Sequence, residues 1–291
     1  MANLKEIRNR ITSVDSTMKI TSAMKMVSAA KLKRAQDAIT QMRPYAEKLQ
    51  EILSNVSSTL DASEGVYSQV REEKNVLFVA ITSNRGLCGG FNNNVIKRVN
   101  ALSSEHSNSK ITIVPIGKKA RDAYKNSNKL YAGTTIPKGL EELWEEMNFT
   151  NVSGVAQKIM DAFTSGEFDK VILVYNKFKN AATQEIQAEQ FLPILPPSEK
   201  STTSLTDYIF EPSKEVIVND LIPKSLKVQV YKAMLDSQAA EHGARMTAMH
   251  KATDNANELK KELKLFYNKA RQAAITNEIL EIVAGAEALN G

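Results

Sequence analysis

Two long heptad repeats, one at each end of the chain, constrain the fold more than any other feature of the sequence. The N-terminal repeat runs from Leu4 to Leu60 and is apolar except at Thr21, Lys25 and Ser28. An apolar residue at every third or fourth position indicates a helix that packs along another helix. The C-terminal repeat changes phase by two residues partway along, and its positions are Met249, Ala252, Ala256, Leu259, Leu263, Phe266, Ala270 and Ala273, then Ile275, Ile279, Ile282, Ala286 and Leu289.

The length of these segments excludes a single compact globule. At a rise of about 1.5 Å per residue, a helix from Leu4 to Leu60 is about 85 Å long, and one from Pro223 to Leu289 is about 100 Å long. A compact globule of this chain length has a radius of gyration of only about 19 Å. We therefore predict that the two helices project from any globular part and wind on each other as an antiparallel coiled coil.

The middle of the chain has the composition of a globular domain. Nine of the twelve glycines lie between Gly65 and Gly166, where they interrupt helices and favour turns. Predicted strands and helices alternate there, as in a parallel sheet covered by helices. The predicted strands are 76–81, 111–116, 129–132, 170–178 and 184–192, and the predicted helices are 91–102, 118–125 and 152–163. The last two strands are expected to form an antiparallel hairpin at the sheet edge.

The predicted fold class is therefore α/β, with a long antiparallel coiled coil of the N- and C-terminal helices plus a central Rossmann-like α/β domain. We place an N-terminal coiled-coil helix at 1–64, the central globular domain at 65–207 and a C-terminal coiled-coil helix at 208–291. Pro223 suits the first turn of that last helix, because proline lacks only an N–H that would be unpaired there.

Candidate chemistry is confined to a glycine-rich segment from Asn84 to Gly90, which lies between a predicted strand and a predicted helix. The segment lacks the lysine and the hydroxyl residue of a P-loop and the spacing of a dinucleotide fingerprint. We interpret it as a tight, closely packed turn, with a nucleotide site as the alternative. Cys88 is the only cysteine, and the three histidines lack metal-ligand spacing. The sequence predicts no catalytic residue, no metal site and no cofactor.

Positive charge is concentrated in the N-terminal helix, where residues 1–60 carry ten lysines and arginines against five acidic residues. Such a helix has either a solvated face or an acidic partner, protein or nucleic acid. No apolar stretch is long enough to span a bilayer, and the N-terminus has no secretory or transit pattern. We therefore expect a cytoplasmic, bacterial protein.

Two other classes of protein stay open at this point. A nucleotide-using α/β enzyme with a coiled-coil arm would explain the strand, glycine and helix order around Gly86. A basic coiled-coil nucleic-acid binder would explain the charge, although its helices lack interleaved aromatic residues and any recognised binding signature.

Three segments resemble the gamma subunit of F-type ATP synthases. They are Lys19–Lys31 (KITSAMKMVSAAK), Thr82–Asn92 (TSNRGLCGGFN) and Ile275–Ala288, in which Ile275-Thr276-Asn277-Glu278 is followed by Glu281, Gly285 and Ala286. The C-terminal segment is the most specific of the three. The resemblance extends along the whole chain and includes Tyr267–Gln272 and Ala244–Met246.

This resemblance implies a central rotor shaft, in which the terminal helices lie inside a ring of three α and three β subunits. The middle domain would stand on the membrane-embedded c-ring, with the epsilon subunit beside it and membrane contact only through that ring. The chain itself would be non-catalytic and would couple proton-driven c-ring rotation to ATP synthesis or hydrolysis in the β subunits. It would bind no nucleic acid and would lie on the cytoplasmic face of the bacterial plasma (inner) membrane.

The same resemblance assigns a set of contacts to the α/β ring: Met24, Lys25, Arg245, Arg271, Gln272, Thr276 and Glu278. The polar positions Thr21, Lys25 and Ser28 of the heptad admit two interpretations. Either the helix is locally over-wound, so that Ile20, Met24 and Val27 replace them in the seam, or Met24 and Lys25 face a moving β-subunit surface.

The C-terminal end of the last helix indicates, independently of the resemblance, a partner whose apolar surface encloses it. If the two helices are level at their globular ends, the C-terminal helix extends about ten residues, or about 15 Å, beyond the other. Yet its end is apolar nearly all round, which is unfavourable for a lone helix in water. The predicted bearing tip consists of Ile275, Ile279, Ile282 and Leu289.

Overall fold

The computed structural model describes residues 4–57, 66–194 and 214–290. Its elements in chain order are α1 (Leu4–Ser57), β1 (Asn75–Ile81), α2 (Phe91–Glu105), β2 (Lys110–Ile116), α3 (Lys118–Tyr124), a 3₁₀ turn (Leu140–Trp144), α4 (Phe149–Thr164), β3 (Lys170–Phe178), β4 (Gln184–Leu192) and α5 (Lys214–Asn290). The predicted boundaries after residues 64 and 207 both lie outside the described residues. The division into 1–64, 65–207 and 208–291 therefore stays a prediction.

The strands form one four-stranded sheet in the order β2-β1-β3-β4. β1 is parallel to both of its neighbours, β2 and β3. β4 pairs antiparallel with β3, with an irregularity of register between Val171 and Ile172. The predicted α/β fold and the antiparallel hairpin at the sheet edge are confirmed.

The central strand β1 explains how the sheet is covered on both faces. Residues 76–81 are all completely buried, as expected for a strand between two helical layers. Because successive side chains alternate between faces, Leu77 packs with α4 and α5 while Phe78 packs with α2 and α3. The sheet therefore has one apolar core on each side.

Two sequence predictions about elements are wrong. Helix α5 begins at Lys214, so Pro223 lies inside the helix and not in its first turn. Proline there removes one backbone hydrogen bond, and burial of Leu226 and Val230 in the core soon after it offsets that loss. The strand predicted at 129–132 is reduced to a single parallel bridge between Leu130 and Ile113.

The chain divides into two compact units, which are described separately. The coiled-coil unit contains the described residues up to Ser28 together with those from Met246 onward. The α/β unit runs from Ala29 to Arg245 and contains the sheet.

In the coiled-coil unit, α1 and α5 lie side by side in opposite directions. An Arg8 Nη2 N–H donates to the Tyr267 hydroxyl over 2.8 Å, and the Thr21 hydroxyl lies 2.7 Å from that of Thr253. Contacts early in α1 are therefore made with residues late in α5. The predicted antiparallel coiled coil is confirmed.

The seam of α1 keeps its polar residues. Thr21 and Ser28 are 8% and 2% exposed, whereas Ile20 and Val27 are 60% and 57% exposed. The over-wound seam is therefore wrong. Each buried hydroxyl has a partner, that of Thr21 on Thr253 and that of Ser28 on a backbone carbonyl one turn earlier.

The seam of α5 departs from the first part of the predicted heptad at Leu259, Phe266 and Ala273, which are exposed. Met249 and Ala256 are buried as expected, but Leu259 and Phe266 are 45% and 51% exposed. At the alternate positions the helix turns the next residue inward, and these residues are Thr253, Lys260 and Tyr267. Each of them meets a polar side chain of α1, and an apolar count along one helix cannot reveal that partner.

Candidate partner-binding surfaces

Helix α1 of the coiled-coil unit has an exposed apolar patch, formed by Ile20, Met26 and Val27. These side chains are 60%, 64% and 57% exposed. The predicted ring contacts Met24 and Lys25 lie beside the patch and are partly exposed. The sequence indicated this patch, because the heptad leaves Ile20 and Val27 outside the seam. The alternative of an over-wound helix instead placed both residues in the seam.

The C-terminal tip of α5, defined here as residues 275–288, is exposed along its whole described length. Ile275, Ile279 and Ile282 are 47%, 55% and 71% exposed. The side chain of Leu289 lies outside the described residues. Arg8, near the start of α1, contacts Tyr267 of the antiparallel α5. The first described residues of α1 therefore lie level with residues of α5 only a few positions after Tyr267. The apolar tip extends past the described part of α1.

The polar residues that the sequence assigned near the tip are also exposed. Arg271, Gln272, Thr276 and Glu278 all lie on the surface of α5. The Thr276 hydroxyl donates to the backbone carbonyl of Gln272 over 2.9 Å, a bond within the helix. Their contact with a partner stays a prediction.

Polar contacts fix the register of the two helices in the coiled-coil unit. The carboxylate of Asp15 accepts hydrogen bonds from Lys260 on α5 and from Lys19 on its own helix. Because these bonds favour the ionised form, they lower the pKa of Asp15 to about 2. A polar pair in a coiled-coil seam specifies one alignment, because any slip separates the partners.

In the α/β unit, the glycine-rich segment forms a tight turn between β1 and α2. Leu87 and Gly89 have left-handed backbone conformations, with φ values of 62° and 58°. The Asn92 side chain accepts hydrogen bonds from the Ser83 backbone N–H and hydroxyl and donates one to the Cys88 thiol. The polar groups of the turn thus satisfy one another. This arrangement favours the packed turn over the alternative nucleotide site.

The turn buries Cys88 and exposes Leu87. Cys88 is 1% exposed and packs against Phe91 and Ala240, whereas Leu87 is 65% exposed. Burial raises the pKa of the Cys88 thiol, so the thiol is unreactive in the closed turn. Sequence reasoning missed Leu87 as a surface residue, because a left-handed leucine has no sequence signal.

Arg245, which the sequence assigned to the ring surface, is buried in the α/β unit. It is 8% exposed, and its guanidinium binds Glu241 and two backbone carbonyls of the turn. Its contact with a partner subunit stays untested.

A second buried carboxyl group of α5 belongs to Asp236. It is 6% exposed, and the nearby positive charges of Lys232 and Lys177 act on it. Burial raises the pKa of Asp236 to about 6, against the opposing effect of Lys232 and Lys177.

The described ranges contain neither a metal-binding cluster nor a membrane-spanning helix. Among residues 4–57, 66–194 and 214–290, no group of three or more histidine, cysteine, aspartate or glutamate side chains could hold a metal ion. In the same ranges every helix falls short of the length and apolar character that crossing a membrane requires.

Comparison with known proteins gives matches along the whole chain. A family model described as ATP synthase matches residues 3–289. The ATP synthase gamma chain of Flavobacterium johnsoniae is 61% identical over 292 residues, with 100% of both chains covered. That of Chlorobium phaeobacteroides is 46% identical over 300 residues, again with 100% of both covered.

Solved structures show the same fold. A chain in the central stalk and c-ring structure of the Tetrahymena thermophila mitochondrial ATP synthase is 25% identical, with a TM-score of 0.56 over 80% of this chain and 99% of that one. A chain in the OSCP, F1 and c-ring structure of the Euglena gracilis mitochondrial ATP synthase is 22% identical, with a TM-score of 0.71 over 98% and 94%. The full-length matches to its relatives show that the chain belongs to the ATP synthase gamma-chain family.

Proposed function

We propose that this chain is the central rotor shaft of an F-type ATP synthase. As a gamma chain it is a non-catalytic subunit, which couples c-ring rotation driven by protons to ATP synthesis or hydrolysis at sites in the β subunits. Support comes from the full-length family match and from the likeness to a chain of the Tetrahymena central stalk. The helices of the coiled-coil unit supply the rigid element that a rotating shaft requires.

The observation that carries this function is the exposed apolar tip of α5. Burying one large apolar side chain is worth about 1.5–3 kcal/mol, so the isoleucines of the tip favour an enclosing apolar surface. A ring of three α and three β subunits offers such a surface as a bearing. The apolar contacts of a bearing are non-directional and therefore permit rotation.

The outer surface of the shaft fits a sliding partner in the same way. Ile20, Met26 and Val27 form an exposed apolar patch on α1. The basic excess of residues 1–60 would meet acidic surfaces of the β subunits through screened contacts, which are weak and only modestly specific. Tight salt bridges to the ring would instead hinder rotation.

The remaining partners follow from the same role. The α/β unit would contact the c-ring and the epsilon subunit, and the membrane would be reached only through the c-ring. The complex would lie on the cytoplasmic face of the bacterial inner membrane.

Purification of a tagged copy of this chain from its native host tests the function. We expect α and β subunits to be recovered in a three-to-three-to-one ratio with this chain. We also expect the complex to hydrolyse ATP although the isolated chain does not. Recovery of the chain alone, or bound to nucleic acid, would contradict the rotor function.

Variants of the tip test its part as a bearing. I279S/I282S should lower ATP-driven proton pumping by the complex, whereas V70S, at an exposed valine of the α/β unit, should not. Both variants should leave the free energy of unfolding of the isolated chain within about 0.5 kcal/mol of wild type, because the side chains are exposed. Equal proton pumping by wild type, I279S/I282S and V70S would show that the tip does not act as a bearing.

A further inference from the structure

Arg245 binds the turn between β1 and α2 through two backbone carbonyls. Its Nη2 N–H groups donate to the carbonyl oxygens of Arg85 and Gly86 over 3.1 Å and 3.2 Å. Its Nη1 donates to the Glu241 carboxylate over 2.5 Å, one helical turn earlier on α5. One guanidinium thus joins the helix to the turn.

An arginine side chain is well suited to make these three bonds at once. Its planar fork presents five N–H donors in fixed directions, whereas a lysine ammonium is a compact point charge. Both Arg245 and Glu241 have side chains only 10% exposed, so water competes little for these bonds. Glu241 holds the guanidinium in the orientation that reaches the turn.

The residues that follow the two bound carbonyls adopt a conformation that needs support. Leu87 has a φ of 62°, which a leucine rarely adopts unless its surroundings hold it. This backbone directs Leu87 outward and places Cys88 inward against Ala240 and Ala244 of α5. Release of the carbonyls would remove the support on the N-terminal side of Leu87.

We infer that Arg245 is a positioning residue, which latches the turn at residues 85–89 onto α5 and acts on rotor coupling through the shape of that turn. It does so from inside the α/β unit, without touching a partner subunit. The consequence for coupling rests on the proposed rotor function, whereas the latch itself does not.

The only cysteine of the chain reports directly on the latch. Cys88 is buried beneath the turn, so a maleimide reagent labels it only when the turn opens. In the isolated full-length chain, R245K should raise the labelling rate at least tenfold. R71K is a matched control, because Arg71 also donates to a backbone carbonyl, that of Phe163, but lies outside the turn. Its labelling rate should equal that of wild type.

A second variant covers the possibility that R245K fails to fold, since the buried Glu241 would lose part of its pairing. E241L/R245M replaces both charged side chains with apolar ones of similar size, a change that buried ion pairs often tolerate. Helix content by circular dichroism and the fluorescence of Trp144 verify its fold. Labelling of Cys88 should rise as in R245K. Labelling within twofold of wild type in a folded variant would overturn the latch.

The effect of Arg245 on rotor coupling is tested in the assembled complex, by measuring the ratio of protons pumped to ATP hydrolysed. R245K should lower this ratio several-fold. I159V, which loses a methylene group from the completely buried Ile159 of α4, should lower stability and leave the ratio unchanged.

The outcomes separate the two proposals. A lower ratio with unchanged Cys88 labelling would overturn positioning through the turn and indicate direct contact with a partner. Raised labelling with an unchanged ratio would overturn the effect on coupling. Failure of wild type to assemble with α and β subunits would refute the rotor function, whatever the labelling result.

Discussion

The α/β unit and the coiled-coil unit are stabilised in different ways. In the α/β unit, residues 76–81 of β1 are completely buried and two apolar cores cover the sheet. In the coiled-coil unit, polar pairs such as Thr21 with Thr253 hold the helices in register, while Leu265 and Phe266 are 64% and 51% exposed. The first unit encloses two apolar cores. The second leaves large apolar side chains exposed along both of its helices.

This difference follows from what each unit has to do. A sheet enclosed by helices gains most of its stability from burial and does not depend on partner subunits. A shaft inside a ring must present apolar surface outward and still keep its two helices aligned. Polar seam contacts provide that alignment, because they specify register at little gain in stability.

The largest expected effect tests where the packing energy lies. F78A, in the completely buried centre of β1, should lower the free energy of unfolding by about 3–5 kcal/mol, because it removes a ring from a close-packed core. F266A removes the same group from the exposed face of α5 and should change it by less than about 0.5 kcal/mol. Urea unfolding of the isolated chain measures both, with Trp144 fluorescence reporting on the α/β unit and helix content by circular dichroism reporting on the coiled-coil unit. Equal losses would mean that the coiled-coil unit packs as tightly as the sheet.

A smaller effect concerns the buried carboxyl group of the α/β unit. Burial raises the pKa of Asp236 from 3.8 to about 6, so the folded state holds its proton more tightly than the unfolded state. Stability from this group is therefore present at low pH and is lost as the pH rises through about 6. The full difference is about 3 kcal/mol, of which about 1.4 kcal/mol falls between pH 5 and pH 8.

D236N should abolish this part of the pH dependence, as measured by the unfolding free energies at pH 5 and pH 8. D220N, at an exposed aspartate on the same helix, should shift stability by less than about 0.5 kcal/mol at either pH. If the stability of D236N fell between pH 5 and pH 8 by as much as that of wild type, the loss of about 1.4 kcal/mol would belong to another titrating group.

The smallest effect concerns the seam of the coiled-coil unit. T21V removes one hydroxyl of the Thr21 and Thr253 pair and should cost about 0.5–1 kcal/mol, because the partner loses a hydrogen bond. T21V/T253V removes both groups and should return to within about 0.5 kcal/mol of wild type, since neither hydroxyl is then left without its partner and valine has a similar shape. Thermal unfolding followed by helix content measures the three proteins. Additive losses in the double variant would show that the hydroxyls do not act as a pair.

The elements of the α/β unit could be predicted to within a few residues. Apolar runs indicate the strands, and glycines between them indicate the turns; both are local signals. β3 and β4 accordingly fall at the predicted residues 170–178 and 184–192. The start of α5 was missed because proline is a local signal for a helix start, while packing of Leu226 and Val230 further along carries the helix through Pro223. Local preference loses to tertiary burial at that point.

The candidate surfaces were predicted less completely. The exposed tip was foreseen, because apolar residues all round a helix end are visible in the sequence. Arg245 was assigned as a ring contact, which stays a prediction, and its burial was not foreseen, since nothing local indicates that two carbonyls from residues 85 and 86 meet it. Leu87 escaped notice because only the folded turn gives it a left-handed conformation.

The sequence by itself determined the long helices, the α/β order between them and the membership of the gamma-chain family, because periodicity and motifs are written along the chain. Only the tertiary structure decided which residues fill the seam and which stay exposed. Rotation of a helix by one residue exchanges Leu259 for Lys260, and the choice depends on Asp15 across the interface. Contacts between residues far apart in sequence have no local signature, so the three-dimensional structure alone assigns them.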